Sequence, residues 1–138
     1  MTREEILSYL NTNTIVFLAT VENGAPRVRG MSLYRADDQG ILFHTGEFKD
    51  IPSQLRSCPL AELCAFDMNT GTQIRVRGPV EFVDDQALKE EIVEARPFLK
   101  PFLDAKGHES LVLFRITDCQ ATTWTMADNL ETKKFIKL

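Results

Sequence analysis

Polar and apolar residues alternate, or gather in short β-branched blocks, along most of this chain. Thr14 to Val21 is apolar and β-branched, which predicts a strand. Asn23-Gly24 suits the positive φ angles of a hairpin turn, and Pro26 to Tyr34 reads as the returning strand. Asp37-Asp38-Gln39-Gly40 is a second turn and Ile41 to Thr45 a third strand, so these three are expected to form a meander. Ala61 to Met68 and Thr72 to Val83 predict two more strands, joined at Asn69-Thr70-Gly71. Leu111 to Ile116 and Gln120 to Met126 are strand-like, with a bend at Thr117-Asp118.

Helical spacing is confined to three stretches. Thr2-x-x-Glu5 is a capping box ahead of Ile6, Leu7 and Leu10, predicting a helix from Thr2 to Asn11. Ile51 and Leu55 lie four apart within Lys49 to Ser57, and Pro52 is tolerated in a first helical turn. Leu88, Ile92, Ala95 and Leu99 form an apolar stripe behind a cap at Asp84 or Asp85. Pro97 and Pro101 break or bend that stripe, and Lys106-Gly107 closes it. The tail from Asn129 to Leu138 has no clear type. Six or seven strands against three short helices predict a mainly antiparallel sheet with inserted helices. A small barrel fits, because closure removes exposed edges.

Composition narrows the function classes. Hydrophobic residues are 43% of 138, enough for a core in one domain spanning residues 1–138. The net charge of −4 argues against nucleic acid as a partner, so any basic site must be local. Apolar runs such as Ile15-Val16-Phe17-Leu18-Ala19 fall far short of the roughly 20 residues of a membrane span. Glu4 and Glu5 stand where a signal peptide would be basic, so a cytoplasmic location is expected. Cys58, Cys64 and Cys119 make no C-x-x-C pair and read as reduced thiols. His44 and His108 have no partner at metal-ligand spacing, and a Cys–His nucleophile pair could arise only through folding.

The candidate chemistry sits at the end of the third strand. Phe43-His44-Thr45-Gly46 runs into Lys49 at the start of a helix. A hydroxyl, a glycine, a lysine and a helix N-terminus are the components of a phosphate site. The same pattern also suits a plain strand-to-helix turn, and neither a P-loop nor a G-x-G-x-x-G fingerprint is present. Alternation puts Arg27, Arg29, Met31 and Leu33 on one face of the second strand. On the fifth strand it puts Gln73, Arg75 and Arg77 opposite Ile74, Val76, Val80 and Phe82. Each arginine alone would read as a solvated surface charge.

The order of these segments resembles the pyridoxamine 5′-phosphate oxidase-like family of FMN-binding split barrels. The resemblance rests on Phe17-Leu18-Ala19-Thr20, Asn23-Gly24-Ala25-Pro26, Arg27 to Met31, Phe43 to Gly46 with Lys49, Leu55 with Cys58-Pro59, and Ala95-Arg96-Pro97. Its strongest part is Gln73-Ile74-Arg75-Val76-Arg77-Gly78-Pro79-Val80, similar to the family's Q-V-R-V-x-G-P-V strand. It implies a homodimer of six-stranded antiparallel split β-barrels with FMN at the subunit interface.

By position, the resemblance implies cofactor-binding roles for several residues. Arg29 would contact the flavin phosphate, with Gly30, Met31 and Ser32 beside the ring. His44, Thr45 and Gly46 would touch the cofactor, Lys49 would bind the phosphate, and Gln73 would reach the ring. Trp124 would pack near the partner's flavin, unless it is simply core or interface. The family often has Arg-Lys where this chain has Phe48-Lys49, leaving Arg27 as the candidate for the missing charge. Arg27 and Arg75 are candidates for the positive group near the ring.

The resemblance further implies an FMN-dependent oxidoreductase acting on a small-molecule substrate, with NADH or NADPH as candidate donors and no acid or base catalyst assigned. The true oxidase carries a C-terminal arginine motif for the substrate phosphate. The stretch Lys133-Lys134-Phe135-Ile136-Lys137-Leu138 lacks it, so a reaction other than pyridoxamine phosphate oxidation is expected. The alternatives are a non-catalytic FMN or electron carrier, a deazaflavin protein, and a haem binder using His44 or His108.

Overall fold

A computed structural model describes residues 1–138. Its elements are α1 (Arg3–Thr12), β1 (Ile15–Glu22), β2 (Ala25–Ser32), β3 (Arg35–Asp37), β4 (Gly40–Gly46), α2 (Asp50–Ser57), β5 (Leu60–Asp67) and β6 (Thr72–Val83). Then come α3 (Gln86–Ala95), a 3-10 turn (Pro97–Leu99), α4 (Lys100–Lys106), β7 (Leu111–Ile116), β8 (Gln120–Trp124) and β9 (Ile136–Lys137). Thr2 caps α1 through the expected reciprocal box with Glu5, and the Asp85 side chain caps α3 at the Leu88 amide. Asn23 and Gly24 have φ angles of 50° and 79°, as the β1–β2 hairpin requires.

The sheet runs β2-β1-β5-β6-β7-β4-β3, with β8 on β6 and β9 on β8, and every pairing is antiparallel. The seven longer strands are the expected ones, and β3 and β9 are additional. The two ends of the path, β2 and β3, do not pair, so the barrel is split.

β6 makes the turn between the two halves. Its first part pairs with β5 and β8, and its last part with β7. Between them, a Cβ at Gly78 would lie 2.3 Å from the Thr117 carbonyl oxygen, so only glycine allows that approach. Pro79 has no amide hydrogen to lose, and its carbonyl accepts from the Thr117 amide at 2.8 Å.

The expected meander is corrected. The second strand stops at Ser32, and β4 pairs with β3 and with the distant β7 rather than with β2. Alternation within each segment was right, but partner choice follows from burial. Phe43 of β4 stacks on Phe114 of β7 with centroids 5.2 Å apart, and both are fully buried. The third helical stretch breaks at its prolines as expected, into α3, the 3-10 turn opening at Pro97 and α4 with Pro101 in its first turn. Phe82, placed by alternation with Ile74, Val76 and Val80, is 39% exposed, unlike those three, with the Arg56 guanidinium over its ring.

The barrel core gathers Leu18, Leu63, Val76, Phe43, Phe114 and their neighbours under α1 and α2. Leu42, Leu88, Ile92, Leu103, Leu111 and Leu113 make a second cluster beneath α3 and α4. Asn11 of α1 clamps the short edge strand β3, exchanging hydrogen bonds with the Ala36 carbonyl and amide at 2.8 and 2.9 Å. No helix is long and apolar enough to cross a membrane.

Candidate functional site

The split between β2 and β4 opens as a cleft of about 580 Å³. Arg29, Gly30, Met31 and Ser32 line it from β2, and His44, Thr45 and Gly46 from β4. Lys49 and Asp50 close one end, at the start of α2. Arg96, Phe98, Leu99 and Phe102 form a further wall. The fold therefore brings eight of the eleven expected cofactor residues into one concavity.

The α2 end carries donors of the kind an anion takes. Lys49 is the N-cap of α2 and offers the helix no side-chain cap, so the Asp50 and Ile51 amides keep their donor capacity, Pro52 having none. The Lys49 ammonium has no ion-pair partner, and its Nζ lies 5.8 Å from the centre of the Phe48 ring. Lys106, from the last turn of α4, brings a second ammonium within 5.7 Å of that ring. Lys106 is thus the cation that the fold brings beside position 48. Arg27, the expected substitute, lies outside the cleft and pairs with Glu22 at 3.4 Å.

Arg29 points under the sheet toward α2. It donates to Thr20 Oγ1 at 2.7 Å and to Gln54 Oε1 at 2.5 Å. Thr20 donates to the same Gln54 oxygen at 2.6 Å, and Gln54 Nε2 donates to Glu22 at 3.1 Å. Burial lowers the Arg29 guanidinium from its ordinary value, while Asp50 and Glu22 draw it back up. Sequence reasoning missed Thr20 and Gln54. The signal for Gln54 was its place between Ile51 and Leu55 on the apolar face of α2, since a buried amide needs partners.

Arg96 is the other residue given no role from sequence. As the C-cap of α3 it reaches across the split. Its Nη2 donates to the Leu33 carbonyl at 2.8 Å and to Ser32 Oγ at 3.4 Å. Its Nη1 donates to the Ser32 carbonyl at 3.3 Å and to His44 Nε2 at 2.7 Å. Arginine cannot accept, so His44 Nε2 is the acceptor and the ring proton sits on Nδ1. Burial, and secondarily the Arg96 charge, push His44 down to about 4, so the imidazole is neutral at pH 7. Nδ1 has no protein partner and is not sealed from solvent.

Gln73 and Trp124 lie elsewhere. They face each other across the β6–β8 ladder in a separate groove of about 730 Å³, shared with Arg75 and Lys133. The ladders put Phe17, Gly30, Cys64, Arg75 and Thr122 in one row on the outer face of the sheet. Leu18, Arg29, Leu63, Val76 and Ala121 form the next row on the inner face. Gln73, two residues from Arg75, shares the outer face, so it and Arg29 lie on opposite faces of the sheet. Cys58, Cys64 and Cys119 are free thiols. Burial raises Cys64 and pushes Cys119 up to about 11, so neither is poised as a thiolate.

Comparison with known proteins places this arrangement. The family model described as pyridoxamine 5′-phosphate oxidase matches residues 2–125. The chain belongs to this family. A curated relative, the pyridoxine/pyridoxamine 5′-phosphate oxidase of Mycobacterium leprae, is 38% identical over 80 residues, which is 58% of this chain and 36% of the relative. The matched stretch thus spans little more than a third of that oxidase.

A NimC/NimA family protein from Clostridium acetobutylicum superimposes with a TM-score of 0.78 at 21% identity, covering 98% of this chain and 92% of the other. A pyridoxamine 5′-phosphate oxidase-related, FMN-binding protein from Nostoc punctiforme does so at 0.63 and 18% identity, covering 99% and 95%. These likenesses establish the fold, the split barrel of the oxidase family.

Proposed function

We propose that this oxidase-family chain binds FMN between two copies of itself and acts as an FMN-dependent oxidoreductase on a small substrate. One observation carries the reading: the unpaired Lys49 ammonium and the uncapped start of α2 share a cleft with Arg29 and with the free edge of β2. In that reading Lys49, the Thr45 hydroxyl and the α2 amides hold the phosphate, with Arg29 behind them. β2 has a strand neighbour on one side only, so alternate backbone groups around Gly30 are free to orient a planar ring, while the Ser32 carbonyl is taken by Arg96. A Cβ at Gly30 would meet nothing within 4 Å, so the backbone there is open to close approach. When bound, FMN supplies the two-electron chemistry, and the protein supplies position and electrostatics. His44, neutral and fixed by Arg96, presents an Nδ1–H donor.

Two copies are proposed because the expected contacts are divided between the cleft and the Gln73–Trp124 groove. The outer sheet face between these regions exposes Ile15, Phe17 and Val28 at 69%, 56% and 70%. A second copy covering that face would shield those side chains and complete each cleft with the other copy's Gln73 and Trp124. Haem gains no support from the site. His44 Nε2 is engaged by Arg96, and His108 is a surface residue 3.7 Å from Asp104.

The decisive measurement is an absorption spectrum of freshly purified protein, with mass identification of any chromophore released on heating. FMN is the expected product, and a deazaflavin or haem would replace this reading. A colourless protein that leaves flavin fluorescence unchanged on titration would end it. Turnover of NADH or NADPH with nitro or quinone acceptors, above that of free FMN, separates an oxidoreductase from a carrier. Sedimentation showing a monomer that binds FMN tightly would remove the shared site.

A further inference from the structure

The cleft wall formed by the Pro97–Leu99 turn and α4 has no part in holding a phosphate. It presents Phe98 and Phe102, 60% and 56% exposed, with Leu99 and Leu103 beside them. Single exposed rings are ordinary on a protein surface, but two lining one concave site mark a place for an apolar ligand.

The charge on this wall is already engaged. Both terminal nitrogens of Arg96 are held by Ser32, Leu33 and His44, and its guanidinium lies 5.2 Å from the centre of the Tyr34 ring. An anionic ligand could recruit Arg96 only by taking donors from two backbone carbonyls. Tyr34 offers no free donor either, because its hydroxyl is committed to Glu91 at 2.7 Å. Lys100 lines a different depression beside Glu90 and Glu94, and Lys106 lies at the Phe48 end. One donor stays open, the Nδ1–H of His44. Two exposed rings, one neutral donor and no free cation among the residues that line this wall specify the chemistry of the ligand.

We propose that this wall is the substrate site, and that it selects flat, uncharged rings bearing a hydrogen-bond-accepting oxygen over phosphorylated or carboxylated ones. The inference rests on the flavin reading above, in which the phosphate occupies the Lys49 end and leaves the Phe98–Phe102 wall free. Phe98 and Phe102 flank the ring of the ligand, and His44 meets its oxygen.

The test compares two probes that share a ring and differ in charge, 4-nitrotoluene and 4-nitrobenzoate. Each is titrated calorimetrically into FMN-loaded protein without reductant. The neutral ring is expected to bind at least about tenfold more tightly. The double substitution Phe98→Ala/Phe102→Ala is expected to weaken 4-nitrotoluene about tenfold and to leave the FMN Kd within about twofold. Phe98→Leu/Phe102→Leu keeps the apolar surface and is expected to fall between the two, which guards against a folding defect.

Equal or tighter binding of 4-nitrobenzoate overturns the proposal, as does an unchanged 4-nitrotoluene Kd in the alanine variant. A drop in oligomeric state of that variant on sedimentation also overturns it, because the rings would then be a contact between copies. Failure to take up FMN counts against the flavin reading instead. The same pair of titrations on FMN-free protein then decides whether the wall keeps its preference.

Discussion

Arg29 and Arg96 line one cleft, and burial lowers both guanidiniums from their ordinary value. Their partners differ in kind. Arg29 is held chiefly by the side chains of Thr20 and Gln54, with a longer 3.4 Å contact to the Leu18 carbonyl, in a cleft shared with a Lys49 side chain that nothing pairs. Arg96 is held by the carbonyls at the end of β2 and by the His44 ring. Side chains can rotate to admit a ligand oxygen, whereas a strand-end carbonyl moves only with its strand. The same residue type is therefore braced mainly by side chains at one end and ties the two sides of the split together at the other. A cation in a cleft is not by itself evidence of an anion site. What its donors already do decides that.

The largest effect expected from this contrast is a pH dependence. His44 has its pKa lowered to about 4, below the unfolded value of 6.5. Protonation therefore favours the unfolded chain: stability is complete above about 6.5 and is lost as pH falls toward 4, by up to about 3 kcal/mol. Urea unfolding at pH 7 and pH 4.5 measures it, and His44→Gln should flatten that slope. A slope unchanged by the substitution would show that His44 is not held neutral by Arg96 and burial.

Next in size is Arg96→Ala. It removes the bonds across the split and leaves His44 Nε2 without its donor, which should cost about 2 kcal/mol in urea unfolding at pH 7. Lys49→Ala should change stability by less than about 0.5 kcal/mol, since the Lys49 side chain makes no hydrogen bond or ion pair and its backbone bond to Gly46 survives the change. Equal losses in the two variants would erase the distinction between the two ends.

In FMN affinity the order reverses. Lys49→Ala should weaken binding about tenfold, by loss of a charge-assisted phosphate contact. Smallest is Lys106→Ala, about twofold, because its ammonium acts across solvent. Fluorescence titration at two salt concentrations checks both, with the gap narrowing as salt rises. An Arg27→Ala effect larger than that of Lys106→Ala would return the compensating role to Arg27.

Local signals in the chain were legible to different depths. The capping box, the Asn23-Gly24 turn and the Asp85 cap are short-range patterns whose physics lies within a few residues, and each forms as expected. The cleft-facing run from His44 to Lys49 was also readable, because a strand end followed by a helix start is local. The pairing of β4 with β7 was not. Alternation tells which face of a strand is apolar, and nothing in Ile41 to Thr45 names a partner some seventy positions away. Arg96 was visible as a cation at a helix end before proline, but its acceptors on Ser32 and Leu33 are brought to it by the barrel.

The amino-acid sequence by itself settled most element types and the mainly antiparallel class, and it named the side chains suited to a phosphate, since these depend on spacing of two to four residues and on side-chain type. The tertiary structure alone decided which cations are free and which are engaged. It also put Gln73 and Arg29 on opposite faces of the sheet, and opened the Phe98–Phe102 wall onto the cleft. The reason is that availability of a donor, unlike its presence, depends on every acceptor the fold carries within about 3 Å of it.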